Sequence, residues 1–97
     1  MIRLSIYYPV TEGALFDWEY YQNTHVPLLQ AGWKPLSTSI DKGVNGPYVA
    51  ILYLEFASMD AMGEALGSPS TADIMADTAK YTTIQPTLQT SEVVSTN

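Results

Sequence analysis

Tyr48-Val49-Ala50-Ile51-Leu52-Tyr53-Leu54-Glu55-Phe56 is the stretch on which the reading of this chain turns. It is apolar at both parities, with Glu55 as the sole exception. Side chains alternate across a strand, so both faces of this one need an apolar cover. An antiparallel sheet backed by helices on one side ordinarily leaves its other side wet, and every second residue is then polar. The rest of the chain has too few elements to supply a second cover. A second copy of the same sheet would supply it.

Working back from this strand, Asn45-Gly46 is a strong hairpin dipeptide because both residues tolerate positive φ, and it joins the strand to a more polar one expected over Trp33–Asp41. These two strands are expected to be antiparallel neighbours. At the start of the chain Ile2, Leu4, Ile6 and Tyr8 alternate with Arg3, Ser5 and Tyr7, which is the period of a half-buried strand ended by Pro9. From Ala14 the spacing turns helical, and a helix is expected over Ala14–Thr24, with Trp18, Tyr21 and His25 near one face and Phe16 and Tyr20 beside it. Pro27 disfavours the helical conformation at Val26, so the break is expected near His25, with room for a further turn through Leu28 and Leu29 before Gly32. Forward from the central strand, Ser58 or Asp60 caps a short helix carrying Met59, Met62 and Leu66 and ending near Gly67. Ser68-Pro69 restarts a helix whose inner stripe is read as Ala72, Met75, Ala76 and Ala79. A Thr- and Val-rich tract over Thr82–Val94 reads as a last strand, with Pro86 at an edge or bulge, and Ser95, Thr96 and Asn97 are expected to fray.

The order β-α-β-β-α-β is the ferredoxin-like arrangement, an α+β fold with a four-stranded antiparallel sheet and helices on one face. Residues 1–97 are expected to form one domain, since a second core would have too few residues to bury itself. With the central strand apolar on both sides, two sheets packed face to face give a dimeric α+β barrel. Composition agrees: hydrophobic residues make up 46% and charged residues 14% of the chain, against about 25% charged in an average soluble protein, so a homodimer is expected to cover part of the surface.

The net charge is −6, and the cations Arg3, Lys34, Lys42 and Lys80 stand singly, so nothing here is built to neutralise a nucleic-acid backbone. Acidity disfavours an anionic membrane surface, and no apolar run approaches the roughly 20 residues of a spanning helix. Met1–Ile6 enters strand pattern at once without the features of a signal peptide, and the chain has no cysteine, so a soluble cytoplasmic protein is expected.

With one histidine and no cysteine the usual imidazole or thiolate metal cluster has no ligands, and neither a dinucleotide fingerprint nor a phosphate loop occurs, so no metal and no cofactor are expected. His25 stands four residues past Tyr21 and seven past Trp18, which puts the three on one helix face. Its imidazole titrates near neutrality and is the candidate acid-base group, with Tyr21 one turn away to orient it or a substrate. The plainer reading is a helix cap or a satisfied core histidine. Phe16, Trp18, Tyr20 and Tyr21 likewise read as a packing stripe or as a ligand lining. Asp73 and Asp77, one turn apart, look like paired carboxylates but are read as a solvated helix face, because the opposite stripe is apolar.

Phe16-Asp17-Trp18-Glu19-Tyr20-Tyr21-Gln22-Asn23-Thr24-His25-Val26-Pro27-Leu28 resembles the signature of the EthD family, named for ethyl tert-butyl ether degradation: a Phe, paired aromatics four and five residues on, then His-x-Pro-Leu. The resemblance implies a dimeric α+β barrel. It carries over to Phe16, Tyr20, Tyr21, His25, Pro27 and Leu28. In it Phe16 and Leu28 anchor the helix on the sheet, Pro27 ends it, and Tyr20, Tyr21 and His25 line a pocket between helix and sheet. Two functions follow as expectations. One is a protein of catabolism that binds or transforms a small apolar or aromatic metabolite, with His25 and Tyr21 as catalytic candidates and Phe16, Trp18, Tyr20 and Leu28 around the ligand. The other is a non-catalytic dimeric accessory or binding module supporting an oxidative degradation system.

Overall fold

A computed structural model describes residues 1–96, and the fraying expected at Asn97 lies outside them. Four strands, β1 (Ile2–Pro9), β2 (Ser37–Lys42), β3 (Tyr48–Phe56) and β4 (Thr87–Glu92), form one antiparallel sheet in the order β2-β3-β1-β4. This is the ferredoxin-like α+β fold that the order of elements implies. β3 and β1 lie at its centre, paired from Ile2 opposite Phe56 to Tyr8 opposite Ala50, with a register shift at Pro9. The edge position of β4 explains how Pro86, just before it, is tolerated.

Helices cover one face only. α1 (Trp18–Tyr20) runs through a π-helical turn (Tyr21–His25) into α2 (Val26–Trp33), and α3 (Met59–Leu66) and α4 (Ser70–Asp77) follow β3. On the covered face Ala50, Leu52, Leu54 and Phe56 of β3 are 0 to 3% exposed and pack with Leu4, Ile6 and Tyr8 of β1. On the open face Val49, Ile51, Tyr53 and Glu55 are half-buried beside Arg3, Ser5 and Tyr7. The two-sided apolar character of β3 is thus half satisfied within one chain.

Several boundaries differ from the sequence reading: β2 begins at Ser37 rather than Trp33, which closes α2, and β4 spans Thr87–Glu92 rather than Thr82–Val94. The first helix begins at Trp18 rather than Ala14, because the Asp17 carboxylate caps it by accepting from the Tyr20 backbone N–H, while Phe16 is held in a bridge with Thr82. Pro27 does not end the helix. The π turn widens the backbone ahead of it, with the Val26 N–H donating five residues back to the Tyr21 carbonyl, and so relieves the clash a proline ring makes with the preceding turn. Gly32 lies inside α2, where α4 crosses so closely that a Cβ would stand 2.7 Å from the Ser70 Cβ. The Trp33 indole N–H donates to the Thr71 hydroxyl at 2.8 Å across the same crossing.

That crossing sets the face α4 turns inward, and it is not the expected one. Ile74 and Asp77 are buried, while Met75 is 56% exposed and Ala72, Ala76 and Ala79 face outward. Seating Ser70 and Thr71 on α2 places positions 70, 74, 77 and 81 over the core, following helical spacing from the contact rather than from hydrophobicity.

Candidate functional site

Asp77, the last residue of α4, is 8% exposed, and both of its carboxylate oxygens are engaged. Oδ2 stands 3.0 Å from Nδ1 of His25, and Oδ1 accepts the Tyr20 hydroxyl at 2.7 Å. The Lys80 ammonium lies 3.8 Å from Oδ1 at the outer side. Asp73, one turn earlier, is exposed. The reading of Asp73 and Asp77 as one solvated face therefore holds for Asp73 alone: with α4 seated on Gly32, Asp77 turns inward to His25 and Tyr20.

His25 closes the π turn and is 3% exposed. The wide turn sets Tyr21 and His25 one above the other, with rings 5.8 Å apart and 16° from parallel. The Tyr81 ring lies 4.5 Å from the imidazole on another side. Burial lowers the imidazole below its ordinary 6.5, against the pull of the Asp77 carboxylate. For Asp77, burial works upward, but the hydrogen bonds from Tyr20 and His25 and the charges of His25 and Lys80 outweigh it and hold the carboxyl below its ordinary 3.8. An ionised carboxylate only accepts, so Nδ1 of the neutral imidazole carries the proton and Nε2 keeps its lone pair.

Around the imidazole stand tyrosines. The Tyr8 and Tyr81 hydroxyls are 2.7 Å apart, and the Tyr21 hydroxyl is buried with no hydrogen-bond partner among the described residues. Burial raises all three phenols above the ordinary tyrosine range, so they are neutral hydrogen-bonding groups. Phe16 packs edge-on to Tyr8, Tyr21 and Tyr81 and leans on Trp18 at 4.8 Å.

The sequence candidates separate accordingly. His25 and Tyr21 meet in the interior, and Tyr20 reaches the same site through Asp77. Phe16 and Trp18 form the far wall of the cluster and open on a groove of about 320 Å³ against the β2–β3 hairpin. Leu28 is 38% exposed and does not anchor the helix, a task that Val26, Leu29 and Trp33 perform. Asp77, Tyr81 and Tyr8 were not among the candidates. The signal for Asp77 was the spacing Ile74, Asp77, Tyr81 together with the need of a buried histidine for an acceptor. Among the described residues no three His, Cys, Asp or Glu side chains converge as metal ligands.

No protein-family model matches the chain, and no curated protein sequence matches it. Solved structures do. An EthD-like protein from Ralstonia eutropha is 35% identical over 99% of this chain and 94% of that one, with a TM-score of 0.89. An ethyl tert-butyl ether degradation (EthD) family protein from Bacillus halodurans is 20% identical over 95% of this chain and 97% of that one, at a TM-score of 0.76. A dimeric protein of unknown function with a ferredoxin-like fold from Bacteroides fragilis is 12% identical over 94% of each chain, at 0.61, a likeness of fold.

Proposed function

The chain belongs to the EthD family, and on that footing we propose that it is a one-domain homodimeric protein of catabolism, cytoplasmic, that binds or transforms a small apolar or aromatic metabolite with His25 as its acid-base group. The observation that carries the reading is one buried carboxylate, Asp77, accepting both the Tyr20 hydroxyl and the His25 Nδ1–H. Such a partner fixes one tautomer and one ring orientation, and it stabilises the imidazolium formed when Nε2 takes a proton. Because the imidazole titrates below its ordinary 6.5, it stands neutral at pH 7 and ready as a base. Tyr8, Tyr21 and Tyr81 supply neutral hydroxyls within an aromatic wall, a setting for the oxygen of an otherwise apolar ring compound.

The homodimer rests on the open face of the sheet, where Val49, Ile51 and Tyr53 lack a cover, and is in keeping with the dimeric Bacteroides fragilis protein of the same fold. A non-catalytic accessory module of an oxidative degradation system is the competing reading, favoured by the 3% exposure of His25.

The test is a thermal-shift screen of apolar and aromatic metabolites, followed by deuterium exchange of the acidic C–H or turnover of each hit. A His25→Gln variant that binds the hit but no longer exchanges its proton supports the acid-base reading. Unchanged exchange in that variant leaves only the accessory module.

A further inference from the structure

The groove beyond Phe16 and Trp18 differs from the interior in one respect: it has a cation. Val10, Phe16, Trp18, Lys42, Tyr48 and Val49 line it, with Asn45 of the hairpin adding a carboxamide. Lys42 ends β2 opposite Ala50, on the helix-covered side of the sheet, so Asp41 beside it in sequence faces the other way. Its ammonium stands 5.5 Å from the centre of the Trp18 ring, which steadies it at the groove wall.

Four cations serve this chain of net charge −6. Arg3 is paired with Glu55 at 3.0 Å and Lys80 with Asp77 at 3.8 Å. Among the described residues Lys34 and Lys42 have no carboxylate within ion-pair distance, and of these Lys42 is the one set in a groove with aromatic walls. The hairpin that closes the groove is firmly shaped. A Cβ on Gly43 would collide with the Tyr48 carbonyl, the Gly43 N–H donates to the Val49 carbonyl, and Gly46 takes a φ of +122° that a side chain would oppose.

We propose that this groove binds the ring of a small aromatic carboxylate against Phe16 and Trp18, with the carboxylate on the Lys42 ammonium and the Asn45 carboxamide. The volume of about 320 Å³ suits a single substituted ring. Aromatic walls supply contact area at little entropic cost, and an unpaired ammonium supplies the charge that distinguishes an acid from its neutral analogue. The inference goes beyond the functional reading: it assigns a second ligand site, on the far side of Phe16 and Trp18 from the imidazole, that does not depend on His25.

Calorimetric titration of the full chain with benzoate and with benzamide, its neutral isostere, tests it. Benzoate is expected to bind saturably and about tenfold more tightly than benzamide, the scale of one charge-assisted contact. Lys42→Gln is expected to weaken benzoate about tenfold and erase the preference, while Lys34→Gln changes neither. His25→Gln is expected to leave benzoate affinity intact. That result, whatever His25→Gln does to proton exchange, keeps the fate of the groove separate from that of the acid-base reading. Equal affinity for the two probes, no saturable binding of benzoate, or a Lys42→Gln affinity equal to the native protein's would overturn the proposal. So would loss of benzoate binding in His25→Gln with Lys42→Gln unaffected, since the ring would then sit at the imidazole.

Discussion

The two faces of the sheet use the same strands for different ends. Toward the helices β3 presents Ala50, Leu52, Leu54 and Phe56, and above them the aromatic cluster encloses a histidine, a carboxylate and three tyrosine hydroxyls. Away from them it presents Val49, Ile51, Tyr53 and Glu55, where Glu55 accepts from Arg3 at 3.0 Å and from Ser37 at 2.8 Å and Arg3 lies over the Tyr53 ring. On the helix side His25, Asp77 and Tyr20 bond to one another and Tyr8 bonds to Tyr81, while the Tyr21 and Ser68 hydroxyls are buried without a partner among the described residues. The polar groups on the open side instead form a shallow network among half-buried apolar residues. The first pattern suits chemistry shielded from water, the second an interface.

Charge substitution breaks the comparison most severely. Leu54→Asp is expected to abolish folding, since an unpaired carboxylate under the helices costs several kcal/mol of a total of about 5–15. Ile51→Asp, on the same strand but the open face, is expected to leave the secondary structure intact and to convert a dimer to a monomer. Circular dichroism and sedimentation on the pair read both outcomes, and equal behaviour of the two variants would remove the distinction between the faces.

A smaller effect is expected within the helix side. Asp77→Asn keeps the shape but loses the charge that His25 and Tyr20 share, and should cost about 1–3 kcal/mol in denaturant unfolding. Asp73→Asn, one turn away and exposed, should lie within about 0.5 kcal/mol of the native protein. The pH dependence follows the same residues. Because folding lowers the His25 pKa, the unfolded chain takes up its proton first, so stability is full above about 6.5 and falls as pH drops through the folded value. Asp77, lowered from 3.8, adds a second loss below that pH which Asp77→Asn lacks. Melting temperatures from pH 8 to 3 measure both.

Legibility in the sequence divides along the same line. The sheet could be read because its signals are local: the alternation over Ile2–Tyr8, the Asn45-Gly46 turn, and the apolar parities of β3. The helix side could be read only in part. His25, Tyr21, Phe16 and Trp18 share a neighbourhood because they share a helix, but nothing in their spacing announces a π turn that lets Pro27 stay within the rod. Asp77 is 52 residues from His25, and its burial depends on a Gly32 crossing that a hydrophobic stripe of alanines and Met75 argues against. Tertiary contact overrode amphipathicity there, as it does where a helix must carry a polar group inward.

The chain's single histidine makes its protonation state directly measurable by nitrogen NMR of the imidazole. At pH 7 the ring is expected to be neutral with the proton on Nδ1, to titrate below 6.5, and to titrate lower still in Asp77→Asn, where the carboxylate that favours the imidazolium is gone. A ring protonated on Nε2, or a titration at or above 6.5 that Asp77→Asn leaves unmoved, would contradict the coupling of His25 to Asp77 on which the site is built.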